Sequence, residues 1–246
     1  MIVPSGGRTV AADLVVPPEG ADALVVLVHG GGWTRGSRTD YAGWAAVLAA
    51  AGFATLSVDY TLATGEAAAW PAAAQDVAAA FDYARSAGHG PVGALATSAG
   101  AHLAATAALT HDTGLRAAVL VNGVYDLVAG HAHSAGPVEA LMGTPPAAAP
   151  FAYSAASPVV LAGSSPHATT CAWTLVYGDH DPVVPPLDQS QPFAAALQRA
   201  GADVVTFAVP ADTHHWNTGS PVDEGPNLAI RDLVLSRLAH LRSVST

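Results

Sequence analysis

The chain has 246 residues, 51% of them hydrophobic and 11% charged, which is enough apolar material for a large buried core and argues against disorder. Its formal charge of −10 opposes a phosphate backbone and an anionic membrane surface, so a small molecule is the expected partner, with no nucleic acid and no membrane. The amino-terminal stretch lacks a cationic region followed by an apolar one, and no segment approaches the ~20 apolar residues of a bilayer span, so a soluble, cytoplasmic protein is expected.

In chain order, apolar β-rich runs alternate with alanine-rich amphipathic stretches. ALVVLVHG, ending at Gly30, reads as a buried strand, and DYAGWAAVLAAAG, with its polar start and terminal glycine, as a helix. FATLSVDY at 53–60 is the next strand. WPAAAQDVAAAFDYARSAG follows as a helix with Pro71 near its first turn. PVGALATS at 91–98 and LRAAVLVNG at 115–123 read as strands on either side of the helix AGAHLAATAALT. CAWTLVYGD at 171–179, the helix PFAAALQRAG, the strand VVTFAVP at 204–210 and the helix NLAIRDLVLSRLAHLRS complete the alternation.

This order predicts a mostly parallel sheet with helices on both faces, in one α/β domain over residues 1–246. Residues of about 125–170, rich in Pro, Ala, Gly and Ser, break the rhythm. They read as an insertion over the carboxyl edge of the sheet, where ligands of such folds bind. The single cysteine, Cys171, precludes an internal disulfide and reads as a buried structural thiol.

Ser98 stands where a predicted strand meets a predicted helix, the setting of a nucleophile on a sharp turn. Small residues are needed two before and two after such a serine. Gly100 meets this, whereas Ala96 stands where a glycine is usual. Taken alone, the stretch also fits a serine that merely ends a strand. The run VLVHGGGW, from Val26 to Trp33, puts three glycines directly after a buried strand. Backbone N–H groups of Gly31 and Gly32, with that of Ala99 after the serine, could receive an oxyanion there.

A serine nucleophile also needs a base and a group to orient it. YGDHDPVVP ends a strand with Asp179 and Asp181, of which Asp181 is favoured, and ADTHHWN presents His214 and His215 before the last helix. His214 is preferred as the base and His215 is the alternative. Trp33 and Trp216 flank the site and are candidates to line a substrate pocket, although tryptophans there serve equally to pack loops. His131 and His133, with ligand-like spacing but no Cys, Asp or Glu cluster, read as solvated loop residues, so no metal and no cofactor are expected. His102 reads as unsuited to be the base, His29 as ordering the glycine loop, and Asp59 and Asp76 as structural.

With HGGGW, SVDYTLA, WPAAAQDV, TSAGAHLAA and YGDHDPVVP in view, the chain resembles the α/β-hydrolase superfamily over nearly its whole length. It is most similar to small esterases of the hormone-sensitive-lipase, feruloyl-esterase-like and kynurenine-formamidase-like branches. The resemblance implies a three-layer α/β-hydrolase fold with a short cap insertion, and a Ser98, Asp181 and His214 or His215 triad. It also implies hydrolysis of small carboxylic esters through an acyl-enzyme. An arylformamidase acting on an N-formylkynurenine-like amide is the alternative from the same chemistry. A non-hydrolytic binding protein or lyase is the alternative from another class, and a homodimer stays open.

Overall fold

In the computed structural model, residues 1–210, 213–214 and 226–244 are described. Eight strands form one sheet in the order β1-β2-β4-β3-β5-β6-β7-β8. β1 (Ile2–Ser5) and β2 (Arg8–Val15) form an amino-terminal hairpin, and β2 pairs antiparallel with β4 (Ala54–Val58). All remaining pairings are parallel, through β3 (Leu24–Val28), β5 (Val92–Thr97), β6 (Leu115–Val121), β7 (Ala172–Gly178) and β8 (Val204–Val209).

The six later strands match the predicted runs; the hairpin was not anticipated. Its turn, Gly6-Gly7, has φ of +51° and +82°, the double left-handed geometry that only glycine adopts freely and that suits the twist of a tight hairpin.

β3, β4 and β5 are buried along their full lengths, as expected of strands covered on both faces. Alternation of side chains divides the core. Leu24, Val26 and Val28 pack with α2 (Ala72–Ser86), α3 (Ala99–Thr110) and α8 (Ser190–Arg199) on one face. Val25 and Leu27 pack with α1 (Ala42–Ala50) and α9 (Pro226–Ala239) on the other.

Four short helices occupy the segment read as an insertion: α4 (Leu127–His133), α5 (Ala135–Met142), α6 (Pro150–Ala155) and α7 (Pro158–Leu161). Asp126 caps α4 by accepting from the N–H groups of Val128 and Ala129, and α6 and α7 each begin with a proline in the first turn. Among the described residues, no helix is long and apolar enough to cross a membrane.

Candidate active site

β5 gives way to α3 with Ser98 as the only residue between them, at φ +51° and ψ −119°. For a residue with a Cβ this is strained backbone, and it holds the side chain out of the strand-to-helix corner. The corner is tight. A Cβ at Gly100 would collide with the carbonyl oxygens of Val28 and His29, which explains the glycine there. Ala96 is accommodated inside β5: it is fully buried, level with Val28 on one side and Leu120 on the other.

Three segments far apart in sequence meet at Ser98. Its Oγ lies 3.0 Å from Nε2 of His214, and Nδ1 of His214 lies 2.7 Å from Oδ2 of Asp181. Because a carboxylate only accepts, the proton on the imidazole belongs at Nδ1, and Nε2 is free to accept from the serine hydroxyl. The other oxygen of Asp181, Oδ1, accepts from the N–H groups of Val183 and Val184, at 2.8 and 2.9 Å, so both carboxylate oxygens are engaged and the group is buried. Asp179, by contrast, pairs with the neighbouring His180 at 2.6 Å. His215 and Trp216 lie outside the described residues.

The glycine loop lies beside Ser98. Gly31 has φ +108°, and a Cβ there would run into the carbonyl of Arg35, so the turn admits glycine alone. The carbonyl side of the loop is held from behind. Nδ1–H of His29 donates to the Gly30 carbonyl at 2.8 Å, and the Tyr60 hydroxyl donates to the carbonyls of His29 and Gly30 at 3.0 and 3.1 Å. The His29 ring stacks on Tyr60, and burial lowers its pKa, so it is neutral near pH 7. The N–H groups of Gly31, Gly32 and Ala99 find no protein acceptor among the described residues.

Trp33 borders the cavity above Ser98, but its indole turns inward: Nε1–H donates to Nδ1 of His102 at 3.2 Å, and the side chain is almost wholly buried. Nε2 of His102 lies 2.9 Å from the carbonyl of Ala156 in the cap. His102, unsuited to be the base, thus ties the glycine loop and the cap to α3.

Above Ser98 opens a cavity of about 420 Å³. Gly31, Gly32, Ser98 and His214 line one side of it, while Val124, Val138, Val183 and Val184 give it apolar walls. Volume and lining suit a small, largely apolar ligand.

His131 and His133 correct one expectation. They stand on the last turn of α4 and not in a loop, and each faces a carboxylate: His131 Nε2 lies 2.6 Å from Glu139 and His133 Nε2 2.8 Å from Asp188. Among the described residues, no group of three or more His, Cys, Asp or Glu is placed to hold a metal ion. Cys171 is buried, and burial pushes its thiol pKa up, which makes it unreactive. Asp59 pairs with Arg38 at 2.8 Å, and Asp76 is buried against Ser5, Arg8 and Thr61.

One residue near the site escaped the sequence reading. Asn122, the first residue after β6, is buried with φ +47°. Its Oδ1 accepts from the N–H of Gly178 at 3.1 Å, and its Nδ2–H donates to the carbonyl of His214 at 3.4 Å.

Residues 12–197 match the family model BD-FAE. The chain belongs to the BD-FAE family. Among curated proteins it is similar to esterase LipQ of Mycobacterium tuberculosis (strain ATCC 25618 / H37Rv), 31% identical over an alignment of 237 residues, with coverage of 85% of this chain and 55% of that one. The chain therefore spans about half the length of that relative. Among solved structures it is similar to the carboxylesterase Cest-2923 from Lactobacillus plantarum WCFS1, with a TM-score of 0.78, 19% identity and coverage of 100% of this chain and 98% of that one. It is also similar to Thermogutta terrifontis esterase 2, solved phosphoramylated by tabun, with a TM-score of 0.74, 21% identity and coverage of 97% and 94%. These likenesses show that this BD-FAE family member has the α/β-hydrolase fold.

Proposed function

We propose that the protein is a carboxylesterase that cleaves small esters through an acyl-enzyme, with Ser98 as nucleophile, His214 as base, Asp181 as the group that orients it, and no cofactor. The observation that carries this reading is the unbroken chain from Ser98 Oγ through both nitrogens of His214 to Asp181. As Oγ attacks the acyl carbonyl, Nε2 of His214 takes its proton, and Asp181 stabilises the imidazolium. The carbonyl oxygen becomes negative and is received by the N–H groups of Gly31, Gly32 and Ala99, each such donor contributing about 3 kcal/mol to the barrier reduction. His214 then protonates the departing alkoxide. Water, deprotonated by the same imidazole, attacks the acyl carbonyl, and His214 returns the proton to Ser98 Oγ as the acyl–Oγ bond breaks and the acid leaves.

Membership of the BD-FAE family and the likeness to esterase LipQ support an ester as the substrate. The cavity of about 420 Å³ favours short acyl chains over long lipids. Incubation of the folded protein with a fluorophosphonate, followed by peptide mass spectrometry, should place the adduct on Ser98 and abolish hydrolysis of 4-nitrophenyl acetate. Unmodified Ser98 in a protein that still turns over the ester would remove Ser98 as the nucleophile.

A further inference from the structure

We propose that Asn122 is a positioning residue: its carboxamide sets the backbone at His214 relative to the Asp181 loop and so fixes the place of the base. This rests on the assignment of Ser98, His214 and Asp181 given above.

β5, β6 and β7 are adjacent strands, and each ends at the same rim of the sheet. The end of β6 contacts the segments that carry all three proposed catalytic residues. The N–H of Ser98 donates to the carbonyl of Val121 at 2.9 Å, immediately before Asn122. The N–H of Asn122 donates to the Val176 carbonyl in β7 at 2.8 Å. Its Oδ1 takes the N–H of Gly178, whose own carbonyl accepts from the N–H of Asp181 at 3.3 Å. Its Nδ2–H then reaches the carbonyl of His214 at 3.4 Å.

The orientation of the amide follows from these partners. Gly178 offers a donor and His214 an acceptor, so the flipped amide would set N–H against N–H and oxygen against oxygen. Only a side chain with an acceptor and a donor on one short, rigid plane serves both. Asn is also among the few residues that tolerate the left-handed backbone found here, at φ +47°. Aspartate is nearly the same shape but keeps only the acceptor. It would turn a carboxylate oxygen toward the His214 carbonyl, and the two would repel.

Because the carboxamide contacts the backbone of His214 and not the reacting atoms, its loss should act on the chemical step and spare substrate binding. Misplacing a base by a fraction of an ångström costs rate steeply, so a fall in kcat on the order of 10- to 100-fold is expected. KM for a small neutral ester should stay within about threefold.

The test uses two variants of the full chain, with 4-nitrophenyl acetate as substrate and active sites counted by fluorophosphonate titration. Asn122→Asp keeps the shape and the bond to Gly178. Asn122→Gly keeps the backbone conformation and removes both side-chain bonds. A lower kcat per titrated site with little change in KM, in whichever variant folds, supports the proposal. A kcat per site within about twofold of wild type in either folded variant overturns it, even where the melting temperature falls, since that is what a merely structural residue gives. Wild-type protein whose Ser98 is neither labelled nor needed for turnover would instead overturn the esterase assignment and this proposal with it.

Discussion

The indole N–H of Trp33 donates to Nδ1 of His102 across 3.2 Å, joining the glycine loop to the helix that follows Ser98. An indole only donates, so Nδ1 must accept, and the ring proton sits on Nε2, where it meets the Ala156 carbonyl at 2.9 Å. The ring is therefore neutral in the fold. Burial pushes its pKa down to about 4 from the ordinary 6.5. The unfolded chain thus binds a proton between pH 6.5 and 4 that the folded chain does not, and stability should fall as pH drops through that window, by about 3 kcal/mol when complete. Urea unfolding at pH 7 and pH 5 would measure it. His102→Gln, which removes the titrating group, should be less stable at pH 7 and should lose less on acidification; an equal loss in both proteins would refute this assignment.

The strand-to-helix corner at Ser98 makes opposite demands at Gly100 and Ala96. A Cβ at Gly100 meets two backbone carbonyls, which cannot swing aside. Gly100→Ala should cost about 3 kcal/mol or more, seen as insoluble protein or a collapsed urea midpoint. The methyl of Ala96 fills core space in a strand, so restoring the more usual glycine with Ala96→Gly should cost about 1 kcal/mol and leave kcat within about twofold. A tenfold gain in kcat would show instead that the methyl relaxes the turn.

Asp76, like its partners Ser5, Arg8 and Thr61, does not line the cavity. Its Oδ1 accepts from the Ser5 hydroxyl at 2.5 Å and from Arg8 at 3.0 Å, and its Oδ2 accepts from the N–H and hydroxyl of Thr61 at 2.8 and 2.6 Å. This pins the amino-terminal hairpin to the loop after β4 and to α2. Asp76→Ala should cost about 3 kcal/mol in urea unfolding, because it strands the buried Ser5 hydroxyl and the half-buried donors of Thr61, while kcat of the protein that remains folded stays close to wild type. Stability within 1 kcal/mol of wild type would show that water replaces the carboxylate without loss.

What could be read from the chain divides along physical lines. β3 to β7 were legible because buried parallel strands are continuous apolar runs bounded by glycine and polar residues, and β8, though largely exposed at the sheet edge, keeps the apolar run VVTFAV. The hairpin strands are half exposed, so their pattern is weak, and Gly6-Gly7 was the signal that could have exposed them. The helices α4–α7 are too short to show a periodicity. Asp126 before α4 and the prolines opening α6 and α7 were the available marks. Ser98, Asp181 and His214 could be nominated because each follows a strand end, where such folds carry chemistry. Asn122 and His102 could not. Their roles depend on partners from distant segments, such as His214 and Gly178, or Trp33 and Ala156, that meet only in three dimensions.

Asp181 offers the sharpest test of the proposed proton path. Its Oδ1 is committed to the N–H groups of Val183 and Val184, and its Oδ2 takes Nδ1–H of His214 at 2.7 Å. In Asp181→Asn the same two backbone donors should hold the amide oxygen at the Oδ1 position, which turns the NH₂ toward Nδ1. Nδ1 must then accept, the ring proton moves to Nε2, and Nε2 can no longer take the proton of Ser98. The fold and KM should survive, since shape and the bonds to the loop are kept, while kcat for 4-nitrophenyl acetate should fall by roughly 10³- to 10⁴-fold. His214→Ala, which removes the base outright, should fall at least as far. A decrease under about tenfold in both variants, with His215→Ala showing the large loss, would transfer the role of base to His215 and leave Ser98 as nucleophile.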